Sequence, residues 1–345
     1  MILFKSLPII FLGVFFIGCG SNSGSGKVDF SINTNATKGS ISNDKTLNLS
    51  LENKKQHTID SVVYTLEGKK IGAKADLKDF KLGKHFIEAT VYFNGGKQVA
   101  KTAIEILNSD LPKIYTFKVI HEYPHDISSY TQGLEFYNDT LYESTGQFKE
   151  SKLRQVDYKT GKVLKNIDLP NAFFGEGLTV LNNKIYQLTW RAGRGFVYDL
   201  SSFKKLKSFE YNKSKEGWGL CNDGKTIYKS DGTENIWLLD PETLNEESYI
   251  QVYTNKGKII EINEMEWING KIYANRYQKN GVAIINPKNG AVTGVIDFTP
   301  LKNKVTQHAE LDVLNGIAYN PRTKTIFVTG KHWDKLFEVE IVEKE

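Results

Sequence analysis

Gly133-Leu134-Glu135-Phe136-Tyr137-Asn138-Asp139-Thr140-Leu141-Tyr142 reads as an apolar strand, a two-residue turn and a second apolar strand. The pattern returns four more times, opening at Gly177-Leu178-Thr179-Val180, Gly219-Leu220-Cys221-Asn222, Glu264-Met265-Glu266-Trp267 and Gly316-Ile317-Ala318-Tyr319. Counted from Leu134, successive openings lie 44, 42, 45 and 52 residues apart. The second strands align as Leu141-Tyr142, Ile185-Tyr186, Ile227-Tyr228, Ile272-Tyr273 and Ile326-Phe327. Third strands run into turns led by Asp157, Asp199, Asp240 and Asn286. A period of about 40–50 residues holding four short strands marks a propeller blade, a unit that cannot bury both faces alone and packs on neighbours in a ring. The fifth unit ends soon after its third strand, and the segment from Lys113 to Val119 offers a spare strand to complete it and remove an open edge. The sequence therefore predicts an all-β chain whose residues 111–345 form a five-bladed β-propeller.

Residues 28–110 keep a different rhythm. Short stretches around Phe30, Leu47, Val63, Phe86 and Ile104 alternate apolar and polar positions between Asn, Gly and Lys turns, as antiparallel strands with one wet face do. A small immunoglobulin-like β-sandwich is expected there, serving as spacer or docking surface because it gathers no convergent ionisable groups. Residues 1–18 carry Lys5 and an apolar run from Leu7 to Ile17, too short for a stable transmembrane helix. The run ends in Phe16-Ile17-Gly18-Cys19-Gly20, which resembles a bacterial lipobox, and residues 19–27 form a Gly/Ser-rich tether. A lipoprotein signal peptide, a lipidated Cys19 and a lipid anchor outside the cytoplasmic membrane follow, on the periplasmic side or at the outer membrane. Cys221 is then left single and is expected to be buried as a small hydrophobe. With 45 basic and 40 acidic residues interspersed along the chain, no basic stripe emerges, which excludes a nucleic-acid partner. A closed ring has no free edge, so a monomer is expected.

In such a ring the loops leading into the first strands gather at one mouth. Gln132, Glu176, Trp218, Asn263 and Asn315 occupy related positions just ahead of the five openings. Trp190 and Tyr277 follow second strands, and Lys331 stands in Thr329-Gly330-Lys331-His332-Trp333. One carboxylate, one cation, several amides and aromatic walls suit a pocket that holds a primary carboxamide. Desolvation beside aromatics would raise the Glu176 pKa toward acid/base duty, while Lys331 would pull it down. His121, His125, His308 and His332 are scattered and lack zinc-ligand spacing, and no nucleophile elbow or phosphate loop occurs.

Tyr130-Thr131-Gln132-Gly133-Leu134-Glu135, Phe174-Gly175-Glu176-Gly177-Leu178-Thr179, Gln187-Leu188-Thr189-Trp190, Gly217-Trp218-Gly219-Leu220, Ile262-Asn263-Glu264-Met265-Glu266 and Thr329-Gly330-Lys331-His332-Trp333 appear in order. Together they resemble the plant and bacterial type of glutaminyl-peptide cyclotransferase, over about residues 114–341. The resemblance implies a five-bladed propeller without catalytic zinc, acting on peptides or proteins with a free N-terminal glutamine. It implies that Glu176 is the essential carboxylate and that Gln132, Phe174, Trp190, Trp218, Asn263 and Lys331 line the pocket. Tyr130 stands where the family usually has phenylalanine and Tyr277 where it usually has tryptophan; both keep an aromatic wall. Some family members also resemble propellers with calcium in the channel, so a structural calcium is a further expectation, with no cofactor required for the reaction.

On this reading Glu176 shuttles a proton from the attacking α-amine to the departing nitrogen. Gln132, Asn263 and Lys331 share the orientation of the carboxamide in an undivided way, and Tyr130, Phe174, Trp190, Trp218, Tyr277 and Asn315 bind substrate. Two rivals remain: a non-catalytic propeller that binds protein or glycan partners, and a propeller hydrolase, which would need several carboxylates or histidines around a channel metal.

Overall fold

The computed structural model describes residues 29–344; the expected signal peptide and tether, and with them Cys19, lie outside the described residues. The N-terminal part contains β1 (Phe30–Thr34), β2 (Ser40–Ser42), β3 (Thr46–Asn53), β4 (Ile59–Leu66), β5 (Lys69–Ile71), β6 (Lys74–Asp76), β7 (Gly83–Phe93) and β8 (Gly96–Leu107). After the long β9 (Lys113–Pro124) come β10 (Thr131–Tyr137), β11 (Thr140–Thr145), β12 (Lys152–Asp157) and β13 (Lys162–Asp168), which form one four-stranded sheet. β14 (Gly175–Leu181), β15 (Lys184–Thr189), β16 (Arg194–Asp199) and β17 (Lys205–Glu210) form a second. β18 (Leu220–Asn222), β19 (Ile227–Ser230), β20 (Asn235–Leu239) and β21 (Glu246–Gln251) form a third, followed by the small hairpin β22 (Tyr253–Thr254) and β23 (Gly257–Lys258). The remaining strands are β24 (Ile262–Ile268), β25 (Lys271–Arg276), β26 (Gly281–Ile285), β27 (Val292–Asp297), β28 (Leu314–Asn320), β29 (Thr325–Gly330) and β30 (Lys335–Glu343). The only helix among the described residues is a 3-10 segment, Thr299–Lys304.

Turn chemistry sets the hairpins. Asn138-Asp139, Asn182-Asn183 and Asn269-Gly270 all have positive φ at both residues, the conformation of the two-residue turn whose twist matches its flanking strands. These turns join the first and second strands of three of the repeats.

Five separate blades do not form, and the expected fold is corrected here. β9 is hydrogen-bonded on both sides: parallel to β27 from Lys113 to Tyr115, and antiparallel to β30 from Tyr115 to Pro124. The last two four-stranded sets therefore run together into one eight-stranded sheet, in the order β24-β25-β26-β27-β9-β30-β29-β28. Its end strands β24 and β28 touch each other, so this sheet bends back nearly onto itself. The resemblance to the five-bladed type of cyclase is corrected in the same respect: the fold is almost all β, and from β9 onward it is built on one large, nearly closed sheet, three four-stranded ones and a small hairpin.

The immunoglobulin-like sandwich is likewise corrected. The front strands divide into a three-stranded sheet, β1-β3-β6, and a five-stranded one, β2-β8-β7-β4-β5, in which β2 runs parallel to β8. Their core does not close on itself, since Tyr253 and Ala291 from the repeat region are buried within it. Backbone bonds from Leu82 to Asn289 and from Asn108 to Thr254 tie the two parts together.

The inner strands lie close. A Cβ on Gly133 would stand 2.5 Å from the Leu178 nitrogen, one on Gly177 2.6 Å from the Gly219 Cα, and one on Gly219 2.1 Å from the Asn263 oxygen. Glycine is required at these positions because backbone meets backbone. The contact is pinned by the buried Glu264, whose two oxygens accept the backbone N–H groups of Leu134 and Ile317 at 3.3 and 2.8 Å, linking β24 to β10 and β28. Cys221 is fully buried, as expected.

Gly177→Ala is expected to destabilise the fold by about 3 kcal/mol, because the added methyl would meet the rigid backbone of Trp218, Gly219 and Leu220 at 2.6 Å. Denaturant unfolding measures it, and a loss below about 0.5 kcal/mol would contradict the close approach.

Candidate active site

Where the lead-in loops of the inner strands converge, a cavity of about 390 Å³ opens. It is lined by Tyr130, Gln132, Phe174, Glu176, Trp190, Arg191, Trp218, Glu261, Asn263, Tyr277 and Lys331. Nine of the ten residues read from the sequence as catalytic or substrate-binding thus share one wall. The tenth, Asn315, stands behind it: its Nδ2 donates to Thr131 O and to Gln132 Oε1, both at 2.9 Å.

Local irregularity aims these side chains. The ladder between first and second strands slips between Thr131 and Gly133, between Gly175 and Leu178, between Ile262 and Met265, and between Leu314 and Ile317. Gln132, Glu176, Asn263 and Asn315 sit in these slips. A bulge turns a side chain out of strict in–out alternation, and here it does so at four matching positions.

The polar relay is short. Gln132 takes the Asn315 bond on its oxygen and donates Nε2 to Glu176 Oε1 at 3.0 Å. Glu176 is 4% exposed, and its Oε2 has no hydrogen-bond partner; neither has Asn263 Oδ1. Burial pushes the Glu176 carboxyl well above the ordinary glutamate value, against the pull of the Lys331 cation and with a further push from Glu216. Burial likewise lowers the Lys331 ammonium, against Glu176 and Asp312. That ammonium lies over the rings of Tyr130 and Tyr277, at 4.5 and 5.1 Å from their centroids.

The aromatic walls come from different loops. Phe174 packs edge-on against Tyr130 and tilted against Trp190, with ring centroids 6.0 and 5.5 Å apart, and Trp218 meets Tyr277 edge to face at 5.7 Å. The Tyr130 hydroxyl donates to Asp312 at 3.1 Å.

Three charged residues escaped the sequence reading. Arg191 and Glu261 line the rim, and Glu216 accepts the indole N–H of both Trp190 and Trp218. Glu216 stands two residues before Trp218, a spacing that carries no weight along the chain because the two indoles meet it only in the fold.

Among the described residues no group of three or more His, Cys, Asp or Glu is placed to hold a metal ion. The acids buried between the inner strands are hydrogen-bonded to their neighbours. Glu135 spends both oxygens on Thr179 and Val180, Glu264 both on backbone N–H groups, and Glu266 one on Tyr319.

A family model described as glutamine cyclotransferase matches residues 91–341, starting inside β7, ahead of residue 114 where the sequence resemblance began. The chain is 38% identical over 252 residues to the glutaminyl-peptide cyclotransferase of Arabidopsis thaliana, covering 72% of this chain and 77% of that protein. The crystal structure of Myxococcus xanthus glutaminyl cyclase superposes with a TM-score of 0.63 at 35% identity, covering 68% of this chain and all of that one.

The Glu176 carboxyl is expected to stay protonated above the range where glutamates ionise, and to lose its proton only as pH rises further. Lys331→Met should move that midpoint higher still, because the cation that favours the ionised form is gone. Infrared difference spectra against Glu176→Gln report the protonated carbonyl stretch; a midpoint at or below 4.5 would contradict the burial argument.

Proposed function

Because the chain belongs to the glutamine cyclotransferase family, we infer that it is a glutaminyl-peptide cyclotransferase, converting N-terminal glutamine of peptides and proteins to pyroglutamate with release of ammonia. The observation that carries the site assignment is the buried Glu176 carboxyl, held at one oxygen by Gln132 and open at the other inside an aromatic cavity.

In the reaction the substrate's α-nitrogen bonds to its own side-chain carboxamide carbon, and the bond from that carbon to the amide nitrogen breaks. The nucleophile must be a neutral amine, and an α-ammonium ionises near pH 8 in water. The aromatic walls and the Lys331 charge both disfavour the ammonium form inside the cavity. Glu176 in its ionised form takes the proton released as the new bond forms, then delivers it to the leaving nitrogen, which departs as ammonia. Its raised pKa makes it a stronger base than an ordinary glutamate while leaving it able to return the proton.

Gln132 spends one of its two N–H groups on Glu176, and its second N–H, Asn263 and Lys331 are the donors that steady charge on the carboxamide oxygen. The unpartnered Asn263 Oδ1 suits an N–H of the substrate. Phe174, Trp190 and Trp218 fold the flexible glutamine chain into an attacking geometry, replacing entropy otherwise lost at the barrier. Asn315 acts one step back, by fixing the orientation of Gln132.

The lipid anchor is a proposal supported by the lipobox-like stretch at Cys19 and the Gly/Ser tether behind it. Among the described residues no helix is long and apolar enough to cross a membrane. Cys19→Ser should abolish incorporation of labelled palmitate and release the protein from membranes; labelling that persists would refute the anchor.

Ammonia release from a Gln-initiated peptide, followed by a coupled assay, tests the activity directly. Acetylating the peptide's amine should abolish release, which separates cyclisation from simple amide hydrolysis. Glu176→Gln should leave folding nearly intact and lower kcat by roughly 10²-fold or more. Turnover near the parent's in the folded variant would refute the role of Glu176.

A further inference from the structure

We propose that Glu216 is a positioning residue for the cyclisation: it ties the indoles of Trp190 and Trp218 together and so sets the width of the slot in which the glutamine side chain is folded. The inference rests on the cyclotransferase reading given above. Trp190 follows β15 in the second four-stranded sheet, and Trp218 precedes β18 in the third. Nothing in either sheet alone fixes the distance between their rings. Glu216 Oε2 accepts both indole N–H groups, from Trp190 at 2.8 Å and from Trp218 at 2.9 Å. A single oxygen with two lone pairs holds the two indole nitrogens within the span of two charge-assisted hydrogen bonds.

The other oxygen is occupied as well. Glu216 Oε1 accepts Arg191 Nε at 3.0 Å, and the Arg191 guanidinium lies 3.8 Å from the Trp190 ring centroid. Trp190 is thereby held by its edge and by its face.

The acid itself is anchored from behind. Lys229 Nζ donates to the Glu216 carbonyl at 2.7 Å and pairs with Glu246 at 3.1 Å, both of these side chains being wholly buried. The Gly217 N–H donates to the Trp190 carbonyl at 3.0 Å. A loop built for packing alone would not need to place a buried lysine under the carbonyl of a residue that faces the cavity rim. Although burial pushes the Glu216 carboxyl up, hydrogen bonds from Trp218, Arg191 and Trp190 hold it below its usual value, so it carries its charge throughout the working pH range.

That charge also reaches Glu176. The groups that face Glu176 are Lys331 after β29, Glu216 ahead of β18, the Tyr130 phenol ahead of β10, the Tyr211 phenol after β17 and the neutral amide of Gln132. Asp312 acts through Lys331. Of these, Glu216 is the one anion that pushes the Glu176 pKa up. Removing it should favour the ionised form of Glu176 and move the acidic limb of the pH profile to lower pH.

Two variants separate positioning from mere stability. Glu216→Ala removes both indole bonds and should raise KM for a Gln-initiated hexapeptide roughly tenfold, with a smaller fall in kcat. Glu216→Gln keeps an oxygen for the indoles but loses the charge; its KM should stay within about threefold while the acidic limb of kcat/KM moves down. In a Glu176→Gln background, tryptophan fluorescence should show the same hexapeptide binding roughly tenfold more weakly once Glu216→Ala is added. A KM within twofold of the parent's in Glu216→Ala, or an acidic limb that stays in place in Glu216→Gln, overturns the proposal and leaves cyclisation standing. A parent enzyme that releases no ammonia from the hexapeptide would instead sink the cyclotransferase reading.

Discussion

Backbone meeting backbone where the inner strands pass one another is the constraint on which the site depends. Where β10, β14 and β18 pass one another, Gly133, Gly177 and Gly219 leave no room for a side chain, and the strands come together there because nothing stands between them. The residues beside these glycines are Gln132, Glu176 and Trp218. The same close approach that completes the core therefore draws a carboxyl, an amide and an indole from three separate sheets into one small volume. A larger residue at any of the three would push the sheets apart and open the site along with the core.

Electrostatics then distinguishes the buried acids. Glu135, Glu264 and Glu266 sit deep between the inner strands, and burial raises the pKa of all three, that of Glu135 to about 7. Neighbouring strands engage both oxygens of Glu135 and Glu264 and one of Glu266, so these acids act as fasteners. Glu176 is equally buried but only half satisfied, one oxygen held and the other left open. An unsatisfied buried carboxyl costs stability, and such a cost is retained where a reaction uses it. Glu216 shows the opposite condition, an anion kept charged by three donors at the rim. The cavity thus holds one acid that prefers its proton and one that has given it up.

The site was readable along the chain to an unusual degree because repeats map equivalent positions onto one mouth. Gln132, Glu176, Asn263 and Asn315 could be picked out as the polar residues standing ahead of each apolar opening. Their bulges could not, since a ladder slip such as that between Gly175 and Leu178 depends on the partner strand and leaves no mark in the hydrophobic pattern. For the same reason the chain alone places Asn315 in the wall, whereas in the fold it supports Gln132 from behind. Glu216 was passed over because its meaning lies in two indole N–H groups that meet it from different loops.

Local chemistry, carried by the chain itself, decided the strand rhythm, the Asn-led turns, the buried Cys221 and the identity of the pocket's polar groups. Turn type and side-chain alternation are settled by neighbours a few residues apart, and these can be read in order. The number and extent of the sheets were decided only in three dimensions. β9 has two free edges, and whether it closes one sheet or joins two is determined by hydrogen bonds to strands about 180 and 220 residues away. The front strands, likewise, complete their core with Tyr253 and Ala291, which only folding brings near them.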